Sequence, residues 1–307
     1  MAIPDFQSFM LPLLKLAEDG EEHTTSEAVE KLADYFGLSE ADRDELLPSG
    51  KQRKLDNRVS WTKTYLQKAG LLSNPGRSRF GITDEGKKVL RDNPPRIDIK
   101  FLNQYHGFAA FHANTRGNGK ADGSPPEGID DKVTQTPQEI LETTYQGLRQ
   151  NLADELLAQI KAKPPRFFET LVVDLVVAMG YGGSRIDAGQ AVGQSGDGGI
   201  DGIIKEDKLG LDAIYLQAKR WEGVVGSPIV REFTGALMGK RAHKGILITT
   251  STFSKEARNF VNSIGNMNII LIDGEQLAQL MIDHDVGVAE ESRYVVKKID
   301  TDYFEDE

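Results

Sequence analysis

From the N-terminus, apolar side chains first recur at Phe6, Met10, Leu13, Leu14 and Leu16. That spacing of threes and fours predicts a helix over residues 5–19. The next apolar run, TTSEAVEKLADYFG, opens on Thr24-Thr25-Ser26-Glu27. In such a box a hydroxyl and a glutamate satisfy backbone N–H groups reciprocally. The run stops at Gly37, a residue suited to the left-handed position after a helix. LSEADRDELL predicts a further short helix. NRVSWTKTYLQKAGLL predicts a stronger one, with Val59, Tyr65, Leu66 and Ala69 on its buried side. The period then changes: LLSNPGRSRFGITDEGKKVL reads as strand, Asn-Pro-Gly turn, strand and helix. Helices followed by a two-stranded hairpin are the order of a winged helix-turn-helix, expected here over residues 1–95.

Residues 96–136 lose the periodicity. They carry ANTRGNGKADGSPPEGIDD and scattered polar side chains, which predict a linker. His106 and His112 fall in it without the carboxylate or cysteine partners of a metal site. Residues 137–163 form one long amphipathic pattern, a bridging helix broken by Pro164 and Pro165. RFFETLVVDLVVAMGY then shows a stripe through Phe168, Leu171, Val172, Leu175 and Val176. Two strands follow, then helix, strand GILITT, helix, strand IILIDG and helix EQLAQLMID. That order predicts an α/β domain with a mixed sheet over residues 164–285, and the acidic remainder, 286–307, reads as a tail.

Charge sharpens this picture. The net charge is −10, which taken alone argues against nucleic acid, but it is unevenly spread. Between residues 50 and 96, twelve basic side chains face four acidic ones, a local +8. Lys51, Arg53, Lys54, Arg58, Lys63 and Lys68 lie on or before the third main helix, and Arg77 and Arg79 lie at the wing. These eight are the expected contacts to duplex DNA. The chain has no cysteine, which excludes disulfides and thiolate sites and suits a reducing cytoplasm. No apolar run of about 18 residues exists, so no membrane span is expected. No phosphate-cradling Gly-x-x-x-x-Gly-Lys-Ser/Thr loop occurs, so no nucleotide is expected.

The densest chemistry lies in GQSGDGGIDGIIKEDKLGLDAIYLQAKRW, Gly193–Trp221. DGIIK and AIYLQAK read as an antiparallel pair turning near Leu209, which sets Asp201 opposite Gln217. Side-chain alternation sends Ile214, Leu216 and Ala218 to one face and Tyr215, Gln217 and Lys219 to the other. A carboxylate, an amide and an ammonium are thus expected at one sheet edge. Magnesium takes a few hard oxygens and keeps water in its other positions. Asp201, the Gln217 side-chain carbonyl and the Ala218 backbone carbonyl are the expected metal oxygens. Lys219 is expected to orient or deprotonate the attacking water and to offset charge at phosphorus. Small residues around Asp197, including Gly198 and Gly199, would let a DNA backbone approach.

GDGGIDG, with QAKRW beginning sixteen residues after Asp201, resembles the Mrr family of type IV, modification-dependent restriction endonucleases, a branch of the PD-(D/E)XK nuclease superfamily. The resemblance spans nearly the whole chain. It implies a multidomain α and α/β fold, with a winged-helix domain followed by a nuclease domain. It assigns the metal-binding aspartate to Asp201, the second motif residue to Gln217 and the catalytic lysine to Lys219. It also implies that Glu169, from the helix RFFETLVVDL, restores the acid lost where glutamine occupies the second position. Asp197 would shape its loop or contact the metal through water. By this resemblance the protein is an Mg2+-dependent endonuclease acting on methylated foreign DNA. Cutting both strands favours a dimer or larger assembly. A DNA-binding regulator on a nuclease scaffold that no longer cuts is the alternative.

Overall fold

The computed structural model describes residues 2–76, 78–115, 134–181, 199–205, 212–265, 267–297, 299–300 and 303. The chain divides into two compact units, Met1–Gln146 with Lys298–Glu307, and Gly147–Lys297.

The first unit starts with a 3-10 turn, Phe6–Phe9, which runs into α1, Met10–Leu16. β1, His23–Thr24, leads into α2, Thr25–Tyr35. Thr24 and Glu27 form the predicted reciprocal cap, and Gly37 takes φ 63° just past the helix end. The short α3, Glu40–Arg43, has its own box from Ser39 and Asp42. α4 spans Lys54–Lys68; Val59, Tyr65 and Leu66 are buried from it, and Ala69 just beyond it. β2, Leu72–Ser73, and β3, Arg79–Ile82, precede α5, Asp84–Arg91. The three strands form an antiparallel sheet in the order β1-β3-β2. The hairpin was legible; β1 was not, because two polar residues carry no alternation.

The expected linker is corrected by the structure. α6, Ile99–Leu102, and α7, His106–Thr115, lie inside it. Ile97, Ile99, Leu102 and Phe108 are buried in the core of the first unit. Phe108 meets Tyr65 edge-on at 5.3 Å, and Tyr65 meets Phe6 at 5.5 Å. Burying each such ring is worth about 1.5–3 kcal/mol, so the segment is core material well past residue 96.

α8, Pro137–Ala162, runs from residues of the first unit into residues of the second. The second unit continues with α9, Pro165–Ala178, β4, Gly202–Lys205, β5, Ala213–Lys219, and α10, Ser227–Gly239. β6, Lys244–Thr249, α11, Lys255–Ser263, β7, Asn268–Ile272, and α12, Gly274–Asp283, complete it. The sheet order is β4-β5-β6-β7, with β4 antiparallel to β5 and the other pairs parallel. Ile214 and Leu216 of β5 pack with α9 and α12 on one face, through Leu171, Leu175 and Leu277. On the other face Leu247 and Ile269 pack with Val230, Phe233 and Leu237 of α10. This mixed three-layer arrangement matches the predicted α/β domain. Past α12, Val286 and Val288 still pack on the core, so the first residues of the expected tail belong to this unit.

Candidate active site

Alternation along β5 and its pairing with β4 build the site. The ladder runs from Gly202↔Leu216 to Lys205↔Ala213, the register predicted from the turn near residue 209. Asp201 stands one residue beyond the last pair. Its N–H donates to Leu216 O at 2.8 Å, and its Oδ2 accepts the Ala218 N–H at 2.8 Å. Asp201 therefore straddles Gln217 and has its carboxylate aimed by a backbone donor. Burial pushes the Asp201 carboxyl above the usual range, while the Ala218 N–H and the Lys219 charge pull it partly back.

Glu169, on α9, belongs to the same electrostatic cluster. Burial raises its carboxyl first and repulsion from Asp201 raises it further; Arg166 and Lys219 oppose both. Lys219 ends β5, half-buried. Its carbonyl accepts Thr249 Oγ1 at 2.8 Å and Thr250 N–H at 3.3 Å. Those buried threonines, from the end of the neighbouring strand, fix the lysine's backbone. Sequence reading missed them; the paired hydroxyls in GILITT were the available signal.

Gln217 departs from expectation. It is 1% exposed rather than emerging with Lys219. Its Nε2 donates to Gly199 O, and its buried Oε1 has no partner among the described residues. The amide thus clamps the loop ahead of Asp201. Gly199 is required there twice over: it has φ 88°, and a Cβ would stand 2.5 Å from Gln217 Nε2. Asp197 and Gly198 lie outside the described residues. Among the described residues, no group of three or more His, Cys, Asp or Glu comes together, and Asp201 and Glu169 are the carboxylates described at the site. A cavity of about 500 Å³ lies elsewhere, lined by Phe167, Asp174 and His284 among others, and none of the site residues reaches it.

The basic residues of the first unit separate into two groups. Arg58 is overturned as a DNA contact. It is buried, with Nε and Nη2 on Glu139 Oε1 at 3.0 and 2.7 Å and Nη1 on the carbonyls of Ile3 and Pro4 at 2.8 and 2.6 Å. Lys63 is half-buried and donates to Thr25 Oγ1 at 2.8 Å, and burial lowers its ammonium pKa. The others lie nearer solvent. Arg53 pairs with Asp56 at 3.0 Å, Lys54 with Glu45 at 2.7 Å and Arg79 with Glu22 at 3.2 Å. Lys68 stands 5.5 Å over the Phe111 ring, Lys51 is exposed, and Arg77 lies outside the described residues. Glu22 and Glu45, from before residue 50, therefore fold onto Arg79 and Lys54, and the local +8 overstates the exposed charge.

Two family profiles match the chain. The Mrr N-terminal domain covers residues 6–92, and a restriction endonuclease profile covers residues 160–281. The type IV methyl-directed restriction enzyme EcoKMrr of Escherichia coli strain K12 is 37% identical over 311 residues, covering 99% of this chain and 100% of the relative. Among solved structures, the DNA modification-dependent restriction endonuclease AspBHI matches 69% of this chain and 52% of its own, at 20% identity and a TM-score of 0.36. The MspJI restriction endonuclease in complex with a 27-mer oligonucleotide matches 66% of this chain and 42% of its own, at 18% identity and a TM-score of 0.27. The end-to-end match at 37% identity, with both profiles in order along the chain, makes this protein a member of the Mrr family of type IV restriction endonucleases and a nuclease that acts on DNA.

Proposed function

We propose that this protein hydrolyses phosphodiester bonds of methylated duplex DNA with a divalent metal, Mg2+, held at the Asp201–Glu169 end of the β4–β5 hairpin. The observation that carries the reading is the Asp201 carboxylate, aimed by the Ala218 N–H beside Lys219 and coupled to Glu169. The donor set fits a hard cation: two carboxylates, the Ala218 carbonyl and the unspent Gln217 Oε1 are all oxygens. When bound, the metal would polarise a phosphoryl oxygen and lower the pKa of a water.

The chain's own residues do the rest. Asp201 and Glu169, both disfavoured as anions by burial, gain stability from any cation placed between them. Gln217 holds the Gly199 carbonyl two residues ahead of Asp201. Lys219 stands at the strand end to orient the attacking water and to offset charge as it builds on phosphorus. Water adds to phosphorus, one P–O ester bond breaks, and the leaving oxygen takes a proton.

The first unit, with its helices and three-stranded sheet, serves as a winged helix that holds the duplex through α4 and the β2–β3 wing. Arg53, Lys54, Lys68 and Arg79 are its phosphate contacts, and Lys51 and Arg77 complete the set. The enzyme works as a dimer or larger assembly, which supplies two sites for two strands, in the reducing cytoplasm. The methyl-directed relative supports the choice of substrate. The test is a plasmid-cutting assay with purified protein, Mg2+ or EDTA, and methylated or unmethylated DNA. Cutting confined to methylated DNA with Mg2+ is expected. Binding without cutting under every condition would leave a DNA-binding protein that has lost catalysis, and cutting of both plasmids alike would remove the methyl dependence.

A further inference from the structure

Beyond Lys219 the chain forms a second feature. Arg220, Trp221, Glu222, Gly223, Thr250 and Lys161 line a cavity of about 390 Å³. Lys161 lies in the last turn of α8, and Arg220 Nη1 donates to its carbonyl at 2.6 Å. Arg220 Nε is buried and has no acceptor among the described residues. A guanidinium offers five N–H donors in a planar fork suited to phosphate oxygens. Here one tine is spent on a helix end, and another is withdrawn from water without a partner. Trp221 is 40% exposed beside it. Its carbonyl accepts Thr250 Oγ1 at 2.9 Å, so its backbone is fixed while the indole faces solvent. Ser251 Oγ holds the Glu222 carbonyl at 3.2 Å, and Val225 N–H bonds Thr252 O at 2.8 Å, so the wall is built rather than loose.

We propose that this cavity is a DNA-backbone subsite, in which Arg220 and Lys161 hold the phosphate next to the scissile one and Trp221 packs on the adjoining nucleotide. The proposal rests on the nuclease reading above and extends it to a second contact. Lys219 and Arg220 are consecutive, and consecutive Cα atoms lie about 3.8 Å apart. A strand whose scissile phosphate lies at Lys219 therefore runs beside the cavity that Arg220 and Lys161 line. An indole is a general platform for nucleotides, since every base has a π-face. Glu222, the one acid on the wall, opposes an anion, which makes its removal a second probe of the sign of the site.

The chain has two tryptophans, Trp61 and Trp221, so Trp61→Phe leaves Trp221 as the single tryptophan in the full-length protein, excited at the red edge where tyrosine does not absorb. A short methylated duplex is titrated in EDTA, with binding followed independently by anisotropy of a labelled strand. The expected result is a change in Trp221 emission that tracks binding. Arg220→Gln should remove that change and flatten the salt dependence of log K by about 0.9. Arg220→Lys keeps the charge and should keep most of the slope, which controls for a folding defect in the glutamine variant. Glu222→Gln should tighten binding. Parallel cleavage by the unaltered enzyme keeps the two readings apart. If that enzyme binds and cuts while Trp221 emission and the Arg220→Gln slope stay unchanged, the subsite is refuted and the nuclease reading stands. If the unaltered enzyme neither binds nor cuts, both fall.

Discussion

Replacing Glu139 by glutamine should unfold the N-terminal unit far more readily than any surface charge change. Arg58 spends Nε and Nη2 on Glu139 Oε1, and its Nη1 donates to two backbone carbonyls. The side chains are 8% and 4% exposed. Glu139 Oε2 also accepts the Thr136 N–H at 2.8 Å, while Thr136 Oγ1 accepts the Glu139 N–H at 3.1 Å, a reciprocal cap on α8. Glutamine keeps the shape and removes the charge, which leaves a buried guanidinium facing only carbonyl dipoles. Breaking one side of such a pair costs about 3–5 kcal/mol. In urea, at an m-value of about 2 kcal/mol/M, the midpoint should drop by roughly 1.5–2.5 M. Trp61 packs on Tyr65 at 5.8 Å and reports this unit in a Trp221→Phe background. Arg58→Met combined with Glu139→Met should cost less than the two singles together, by about 0.5–3 kcal/mol. A loss below about 1 kcal/mol for Glu139→Gln would put the pair in the class of surface bridges and refute the reasoning. So would a salt slope for DNA binding that falls by about 0.9 in folded Arg58→Met, since that would make Arg58 a phosphate contact.

Other expectations follow from the same geometry. Gly199→Ala should cost about 1–3 kcal/mol and most of the activity, whereas Gly147→Ala, in α8 with nothing within 4 Å of its Cβ, should be neutral or slightly stabilising; equal effects in melting and cleavage would remove the Gln217–Gly199 clamp from the account. The raised carboxyls of Asp201 and Glu169 bind protons more tightly folded than unfolded, so their contribution to stability is present at low pH and lost as pH rises through their folded pKa values. Above that window Mg2+ at about 100 times its Kd should restore roughly 2.7 kcal/mol, and Asp201→Asn should match or exceed the metal-free melting temperature while losing the Mg2+ response; a full Mg2+ shift in that variant would move the metal elsewhere. Arg79→Gln should flatten the salt slope by about 0.9 without changing base preference, and an unchanged slope would take the wing off the DNA.

The elements with strong periodicity were legible: the register that brings Asp201 to Gln217 followed from alternation and a turn centre alone. Burial was not. Gln217 and Lys219 share an alternation class, yet one turns in to hold a carbonyl, because a neutral amide can satisfy Gly199 O without burying a charge. Arg58 reads as one more base on a basic helix, and its partner lies 81 residues away across the polar stretch taken for a linker. That stretch hid its core residues among glycines and polar side chains, too sparse for a periodic signal. Gln217→Glu, which from sequence would restore a commoner acid, would instead set a buried carboxylate against the Gly199 carbonyl and should break that contact.

The most direct measurement is single-turnover cleavage of methylated DNA by Asp201→Asn, Glu169→Gln and Lys219→Ala under Mg2+, with affinity measured in parallel. Asn retains an acceptor for the Ala218 N–H, so the local fold should persist while the charge is lost. Rates should fall by about 10²–10⁴-fold in each variant, with Kd changed by less than about threefold if the first unit makes most phosphate contacts, as proposed. Near-normal cleavage by Asp201→Asn or Lys219→Ala would contradict the assignment of this hairpin end as the catalytic centre.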